Sequence, residues 1–373
     1  MDETVRRSLA GARRVVVKVG TAVVSGPQGQ LALGRIGHLM EDLRALSQDG
    51  REVLLVSSGA VGLGAGRLGW TAPPKRVVDR QACAAIGQVA LMSLYDAMLG
   101  QLGRRAAQVL LTQDDFLQRQ RYLNVQATLE RLLALGVLPI INENDTVSTA
   151  ELAVGRDEVF GDNDRLSALV SAGLGADLLV LLTSVDGVYT APPASPGAKR
   201  ISRYAPDETI HFGEGSAWGR GGMQAKLAAT QVAIQCGTPV VIASGMAGGV
   251  LQRVIAGEDV GTIFPARRQH NRRRQWLAFA TAPAGRLMVN DGARRALTER
   301  NASLLAIGVQ DVLGSFDAGA VVSVCTADGS EFARGWSDQS ANEIQERIAS
   351  PGDGRSRPII HRDRIVILST EGS

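Results

Sequence analysis

Two clusters of carboxylates and amides lie beside apolar segments of the chain. Asn142 to Asp145 follows the apolar run from Leu138 to Ile141, and Gly161 to Asp164 precedes an apolar helical pattern. Open α/β sheets bind ligands outside the carboxyl ends of their strands, so polar residues at strand ends favour a ligand site. Asp162, Asn163 and Asp164 also suit a helix start, where they would accept hydrogen bonds from free N–H groups. On this stretch alone, both interpretations stay open.

Lysine is rare in this chain, and two lysines lie beside glycine-rich turns. The 40 basic residues include four lysines, of which Lys75 and Lys199 are interpreted as surface residues. Lys18 is near the end of an apolar strand pattern, and Lys226 lies one turn into a helix that begins in a glycine-rich segment. Such a helix start suits a polyphosphate, for which lysine supplies a compact charge. Two lysines at one phosphate repel each other, so a carboxylate between them is expected, and Asp164 is the candidate.

Strand and helix patterns alternate along the chain up to about residue 265. The strand patterns cover residues 14–19, 53–56, 108–111, 138–141, 178–182 and 239–243. This alternation predicts an α/β fold with a mostly parallel sheet and helices on both faces. Residues 67–80 contain two prolines and are expected to form a loop, followed by long helices over about 81–99 and 123–135.

The pattern changes at Gly285 to short strands, which predict a small, mostly β second domain. Residues 321–325 and 331–336 are joined by Asp328-Gly329, a hairpin signal. The predicted organisation is therefore a domain over 1–265, a linker over 266–284 and a domain over 285–373. The arginine-rich run 267–274 is interpreted as a solvated linker in preference to a nucleic-acid contact.

Composition argues against several classes of protein. The net charge of +3 and the 4% aromatic content indicate neither a nucleic-acid nor a membrane-surface protein. Three distant cysteines, Cys83, Cys236 and Cys325, show neither metal-ligand spacing nor a disulfide framework. No signal-peptide pattern is recognised, and no apolar run is judged long enough to span a bilayer. We therefore expect a cytoplasmic protein.

Common catalytic motifs are missing from the sequence or are misplaced in it. Residues 64–69 match the letters of a dinucleotide fingerprint, but they lie well past their strand. No Gly-Lys pair occurs, which excludes a Walker P-loop, and the four histidines are scattered away from predicted strand ends. A histidine base is therefore not expected.

Five motifs in chain order resemble the amino acid kinase family, and within it the bacterial enzymes that phosphorylate glutamate. They are Val17-Lys18-Val19-Gly20-Thr21, Ser57-Ser58-Gly59-Ala60, Ile141-Asn142-Glu143-Asn144-Asp145, Gly161-Asp162-Asn163-Asp164 and Gly221-Gly222-Met223-Gln224-Ala225-Lys226. Those enzymes carry a C-terminal PUA domain, to which residues 285–364 are similar in Asp291-Gly292-Ala293 and Ser303-Leu304-Leu305. The resemblance therefore spans the chain.

The resemblance implies ATP-dependent phosphorylation of the side-chain carboxylate of L-glutamate to L-glutamyl 5-phosphate, the first step of proline biosynthesis. The acceptor carboxylate, with a reference pKa of about 4.3, is ionised at neutral pH and needs no general base. Mg²⁺ would bridge the ATP phosphates, and no protein ligand is assigned to it. The resemblance also implies feedback inhibition by proline, assembly as dimers or tetramers, and hand-off of the product to glutamyl phosphate reductase.

The resemblance assigns roles to the positions that match the family's motifs. The catalytic positions are Lys18, Lys226 and Asp164; the substrate positions are Ser58, Gly59, Ala60, Asn142, Asp145, Asp162 and Asn163; the ATP positions are Lys18, Gly20, Thr183, Ser184, Arg220, Gly221, Gly222, Met223, Gln224, Ala225 and Lys226. Ser184 replaces an aspartate usual in the family, and Arg220 and Ala225 replace threonines. The segment 154–160 is longer than in compact members.

Two alternatives remain open on the sequence. The first keeps the fold and changes the acceptor to N-acetylglutamate, aspartate or a nucleoside monophosphate. The second is an RNA-binding protein acting through its PUA-like domain, which the low net charge and the few aromatic residues disfavour.

Overall fold

The computed structural model describes residues 2–26, 30–147, 162–204, 222–266, 283–349 and 357–368. By compactness the chain divides into two units. The first contains Met1–Thr112 and Thr128–Arg268, and the second contains Gln113–Ala127 and Gln269–Ser373. The division predicted from sequence assigned residues 113–127 to the first domain.

The first unit is built on a seven-stranded sheet with helices packed against it. Its strands are β1 (Arg14–Val19), β2 (Glu52–Val56), β3 (Arg105–Leu111), β4 (Val137–Glu143), β5 (Leu178–Thr183), β6 (Val240–Ser244) and β7 (Thr262–Phe264). Its helices are α1 (Asp2–Ser8), α2 (Thr21–Val24), α3 (Leu33–Gln48), α4 (Ala60–Arg67) and α5 (Val77–Gln101). They continue as α6 (Asp114–Leu117), α7 (Arg119–Ala134), α8 (Asp162–Leu174), α9 (Gly222–Gln235) and α10 (Val250–Ile255), of which α6 and the start of α7 belong to the second unit.

The sheet is parallel except for its last strand, in the order β3-β4-β2-β1-β5-β6-β7. Strand β1 is the central strand of the sheet. Its residues from Val15 to Val19 are all buried, as expected of a strand covered on both faces. It pairs in parallel with β2 on one side and with β5 on the other. The carboxyl ends of β1, β2, β4 and β5 therefore meet at one edge of the sheet. The predicted parallel α/β architecture is confirmed.

Helix α5 differs from its sequence-based prediction at its beginning. It begins at Val77 and not near residue 81, so the end of the predicted loop is helical. Asp79 lies in its first turn, where a carboxylate is favourable, and the alanine-rich pattern did not reveal this turn. Helix α7 likewise begins at Arg119, four residues earlier than predicted.

Helix α5 has 25 residues, and by length and composition alone it could cross a membrane. The expectation that no apolar run has this length was wrong for α5. One such helix is weak evidence of a membrane protein, because core helices pass the same test. One face of α5, which includes Cys83, Gln88 and Tyr95, is buried in the first unit.

The second unit contains a five-stranded sheet in the order β12-β11-β10-β8-β9. Its strands are β8 (Gly285–Val289), β9 (Val309–Leu313), β10 (Val321–Cys325), β11 (Glu331–Trp336) and β12 (Ile365–Ile367), and its helices are α11 (Asp291–Arg300) and α12 (Ala341–Ala349). The hairpin of β10 and β11 is confirmed, with Gly329 at φ +88° in its turn.

Residues 113–127 pack within the second unit through aromatic side chains. Phe116 and Tyr122 are buried, and the Tyr122 ring stacks on that of Trp336 with centroids 6.0 Å apart. Gln118 forms a β-bridge with Ala320. Nothing in the local sequence of 113–127 indicated this packing, because it depends on residues two hundred positions away in the chain.

Candidate active site

A cavity of about 450 Å³ lies at the carboxyl ends of β1, β2 and β4 in the first unit. Polar and charged side chains line much of it, together with several glycines. The lining residues are Lys18, Gly20, Thr21, Ser58, Gly59, Ala60, Val61, Gly62, Arg80, Asn142, Asp145, Asn163, Asp164, Gly222, Ala225 and Lys226. Six segments of the chain thus meet at the sheet edge where α/β proteins bind ligands.

Asp164 lies between two lysines on the cavity wall. Lys18 Nζ is 2.7 Å from Asp164 Oδ1, and Lys226 Nζ is 3.1 Å from Asp164 Oδ2. The side chains are 6% exposed for Lys18, 4% for Asp164 and 12% for Lys226. Two cations and one anion leave this cluster with a net charge of +1, so it can attract a further negative group.

Burial weakens the hold of Lys18 on its proton. Removal from water lowers the pKa of Lys18 below its ordinary value of 10.5, and the charge of Lys226 lowers it further. The carboxylate of Asp164 opposes both effects and favours the charged ammonium. The carboxylate of Asp164 therefore offsets the repulsion between the two buried ammonium groups.

Helices α4, α8 and α9 each carry lining residues in their first turns. Helix α4 starts after Gly59, helix α8 contributes Asn163 and Asp164, and helix α9 contributes Gly222 and Ala225. The free N–H groups and the dipole of a helix N-terminus favour anions. The wall is therefore suited to phosphate and carboxylate groups.

Gly59 is required at the start of α4 by its backbone conformation. Its φ of +104° lies in the left-handed region, and an added Cβ would come within 2.8 Å of Val24 Cγ2. Any other residue would meet both backbone strain and this clash. The Ser57-Ser58-Gly59-Ala60 motif thus turns the chain sharply from β2 into a helix whose first turn lines the cavity.

Hydrogen bonds beneath the cavity hold the ends of β2 and β4. Ser57 N–H donates to the carbonyl of Ile141 at 2.8 Å, and the Ser57 hydroxyl pairs with the Tyr95 hydroxyl, also at 2.8 Å. The Glu143 N–H donates to Oδ1 of Asn142 at 3.0 Å and to Oδ1 of Asn163 at 3.1 Å. Two of the predicted substrate residues are therefore fixed to one backbone group.

The structure brings together most residues that the sequence analysis singled out. Those that line the cavity are Lys18, Gly20, Ser58, Gly59, Ala60, Asn142, Asp145, Asn163, Asp164, Gly222, Ala225 and Lys226. Asp162 is the first residue of α8 and precedes Asn163 and Asp164 in the chain. Asn163 and Asp164 thus belong both to the first turn of α8 and to the cavity wall.

Several predicted ATP positions lie elsewhere. Thr183 ends β5, where its carbonyl accepts the Gly245 N–H at 2.8 Å, and the exposed Ser184 follows. Met223 is buried and Gln224 is exposed in the first turn of α9. None of these four lines the 450 Å³ cavity. Arg220 and Gly221 lie outside the described residues, as do Gly161 and the segment 154–160 whose length departs from the family.

The sequence analysis missed four lining residues, namely Thr21, Val61, Gly62 and Arg80. Thr21 ends a motif that was recognised, but no role was assigned to it. Val61 and Gly62 directly follow another motif, so extending that motif by two residues would have found them. Arg80 belongs to no motif and lay at the end of a predicted loop. Its position in the first turn of α5 brings it to the cavity.

A divalent cation has no protein cage in the described part of the chain. No group of three or more His, Cys, Asp or Glu residues that could hold a metal ion occurs there. Both oxygens of Asp164 already face lysine ammonium groups. These residues do not fit a protein-held metal, although Mg²⁺ is commonly bound largely by substrate phosphates.

Comparison with known proteins gives a consistent family assignment for the sequence. Residues 13–244 match the profile of the Amino acid kinase family, and residues 285–350 match that of the PUA domain. The glutamate 5-kinase of Pelobacter propionicus is 44% identical over 373 residues, covering 95% of this chain and 98% of that protein. The glutamate 5-kinase of Geobacter metallireducens is 45% identical over 371 residues, with the same two coverages.

Among solved structures, the UMP kinase of Bacillus anthracis is similar to this chain. It aligns with a TM-score of 0.48 at 17% identity, covering 69% of this chain and 97% of that one.

Proposed function

Because the chain belongs to the amino acid kinase family, we propose that it transfers the γ-phosphoryl group of ATP to the side-chain carboxylate of L-glutamate. The product is L-glutamyl 5-phosphate, and the reaction is the first step of proline biosynthesis. The full-length similarity to two enzymes named glutamate 5-kinase supports this acceptor. The observation that carries the proposal is the Lys18–Asp164–Lys226 cluster on the wall of a cavity that the substrate motifs also line.

The reaction is an in-line displacement at phosphorus. An oxygen of the glutamate side-chain carboxylate forms a bond to the γ-phosphorus, and the bond from that phosphorus to the β–γ bridging oxygen breaks. ADP leaves with the bonding electrons, and no proton has to be removed from the ionised nucleophile. Catalysis therefore rests on positioning and on charge stabilisation.

The two lysines supply the charge stabilisation in this proposal. Lys18 and Lys226 would contact the oxygens of the transferring group, where negative charge is spread in the transition state. Asp164 would keep both ammonium groups at fixed positions before ATP binds. Preorganised charges of this kind lower the barrier because they do not have to reorient during the reaction.

Glutamate and ATP would occupy different parts of the site. We assign glutamate to Ser58, Gly59, Ala60, Asn142, Asp145, Asp162 and Asn163, with Asp145 as the partner of the substrate ammonium. We assign ATP to Lys18, Gly20, Thr183, Ser184 and the residues from Arg220 to Lys226. Mg²⁺ would enter on the ATP phosphates, without a carboxylate ligand from the described residues.

The decisive experiment is trapping of the acyl phosphate with hydroxylamine. ATP and hydroxylamine are incubated with the protein and with glutamate, N-acetylglutamate or aspartate, and hydroxamate is measured; ADP release is measured with nucleoside monophosphates. Hydroxamate from glutamate alone is the expected result. Turnover of another acceptor in preference to glutamate contradicts the proposal.

Three further properties belong to the same proposal. Proline is expected to inhibit the reaction, which an assay with added proline tests directly. The product would pass to a glutamyl phosphate reductase, and a coupled assay with that enzyme would test the transfer. A cytoplasmic location agrees with both, because ATP and glutamate are metabolites of that compartment.

Assembly with further copies of the chain is the last part of the proposal. Helix α5 exposes apolar side chains, among them Val78 and Val89, each 65% exposed. A helix that leaves an apolar stripe in water is stabilised when a second copy covers it. Val89→Glu is expected to lower the sedimenting mass to that of a smaller assembly, whereas Leu33→Glu at another exposed position leaves it unchanged.

A further inference from the structure

Arg80 is the cavity-lining cation that the proposed mechanism leaves without a role. Five charged residues line the cavity in the described part of the chain: Lys18, Arg80, Asp145, Asp164 and Lys226. The two lysines and Asp164 form one cluster at contact distance. Arg80 comes from a separate element, the first turn of α5, and its side chain is half-buried.

The charges of the proposed substrate fit this arrangement. Glutamate carries a side-chain carboxylate, an ammonium group and an α-carboxylate. In the proposed function the side-chain carboxylate lies at the lysine cluster and the ammonium lies at Asp145. The α-carboxylate is then the one charged group of the substrate without a counter-charge.

An arginine is well suited to fill that place. Its planar guanidinium donates two parallel hydrogen bonds to a carboxylate, whereas a lysine acts as a point charge. A half-buried position strengthens this pairing relative to one in open water. Arg80 is therefore chemically matched to the group that remains.

The backbone that carries Arg80 is held firmly against the cavity wall. Helices α4 and α5 cross so closely that a Cβ added at Gly87 would lie 1.9 Å from the carbonyl oxygen of Ala60. Ala60 itself lines the cavity. Backbone contact thus sets the distance between the first turn of α4 and α5. This contact fixes the position of the helix that carries Arg80.

We propose that Arg80 binds the α-carboxylate of the acceptor amino acid and so makes the site selective for acceptors in which this group is free. The inference rests on the proposed function, because it takes glutamate as the acceptor. It extends that function by naming the residue that distinguishes glutamate from its α-amide, in which the α-carboxylate is a neutral carboxamide.

The test compares these two acceptors in four forms of the full chain. They are the wild type, Arg80→Gln, Arg80→Lys and the control Arg76→Gln, which removes an 81% exposed arginine at the same helix end. For each form, kcat/KM is measured for glutamate and for its α-amide, together with KM for ATP. Thermal unfolding shows whether the variants fold.

Loss of a hydrogen-bonded charge pair is expected to lower kcat/KM for glutamate by about 10- to 100-fold in Arg80→Gln. For the α-amide the decrease should be less than about threefold, since that acceptor never formed the charge pair. Arg80→Lys should recover part of the loss, and Arg76→Gln should behave like the wild type in both assays.

An equal fold change in kcat/KM for both acceptors in Arg80→Gln, which leaves the preference for glutamate unchanged, would overturn the inference. If Arg80→Gln does not fold, the same comparison in Arg80→Lys decides, because a weaker charge pair must still reduce the preference. Failure of this inference is distinguishable from failure of the proposed function, because a wild type that forms no acyl phosphate from glutamate refutes the reaction itself.

Discussion

Gln88 on helix α5 accepts a hydrogen bond from Nδ2 of Asn142 at 2.6 Å, beneath the end of strand β4. Both side chains are buried, and Asn142 lines the cavity while Gln88 does not. This bond orients the Asn142 amide so that its Oδ1 receives the Glu143 N–H. A helix that contributes Arg80 to the cavity thus also fixes a predicted substrate residue on the sheet.

Replacement of Gln88 by Leu should impair the use of glutamate without changing the use of ATP. Without its partner, the buried Nδ2 of Asn142 loses a hydrogen bond, which costs about 1–3 kcal/mol unless the amide reorients. We expect kcat/KM for glutamate to fall about tenfold and KM for ATP to stay within about twofold. Gln81→Leu on the same helix is the control. An equal rise in KM for both substrates would show that Gln88 acts on the whole fold.

Lys226→Ala is expected to abolish most of the turnover and to leave the fold intact. Loss of one charge-stabilising donor from an active site lowers kcat by about 10²- to 10³-fold. The fold should persist because Asp164 keeps Lys18 as its partner, at 2.7 Å. Steady-state kinetics and thermal unfolding measure the two effects, with Lys199→Ala at an exposed position as the control. Activity close to that of the wild type would refute the proposed role of Lys226.

The rate should fall as the pH rises, at a pH below the ordinary pKa of lysine. Burial lowers the pKa of Lys18, so its ammonium loses the proton earlier as the pH rises, and the charge needed at the phosphoryl group is lost. The effect on stability has the opposite sign. Because the pKa of Lys18 is lower in the folded state than in the unfolded state, the unfolded state binds this proton more tightly. The contribution of Lys18 to the free energy of unfolding therefore rises with pH, and its deprotonation does not unfold the protein.

A pH profile of kcat measured alongside thermal unfolding separates these two effects. In Asp164→Asn the carboxylate that favours the charged Lys18 is gone, and the alkaline limb of the remaining activity should move to lower pH. A limb at the same pH in both proteins would contradict the assignment to Lys18. If the wild type lost its activity and its folded state at the same pH, this result would also contradict the assignment to Lys18.

Alanine at Gly64 or Gly87 should destabilise the first unit. A Cβ at Gly64 would lie 1.8 Å from the carbonyl oxygen of Cys83, and a Cβ at Gly87 would lie 1.9 Å from that of Ala60. Both contacts involve backbone, so α4 and α5 have to separate, at a cost of about 1–3 kcal/mol. We expect the unfolding midpoint to fall by about 3–10 °C, as calorimetry would measure.

Gly100→Ala on α5 is the matched control for this pair. An added Cβ at Gly100 meets nothing within 4 Å, and alanine is favoured over glycine inside a helix by about 0.5–1 kcal/mol. This variant should be as stable as the wild type or slightly more so. If all three alanine variants unfold at the same temperature, the backbone contact of α4 and α5 does not limit stability.

The close packing of α4 and α5 also explains one glycine of a motif that the sequence analysis set aside. Residues 64–69 match the letters of a dinucleotide fingerprint, yet Gly64 lies within α4 and not in a turn between a strand and a helix. Its glycine is required by the approach of α5. The first glycine of the pattern thus serves helix packing here, which letters alone do not distinguish from phosphate binding.

Local patterns in the sequence determined the parallel sheet, the hairpin near Gly329 and the position of each polar motif at a strand end or helix start. Hydrophobic periodicity and turn chemistry act over a few residues, so the sequence shows them directly. The tertiary structure alone decided that Arg80 reaches the cavity and that Gln88 orients Asn142. Both depend on where helix α5 packs in the fold. Packing of α5 places Arg80 at the cavity and Gln88 at Asn142, from a segment that has no recognisable pattern of its own.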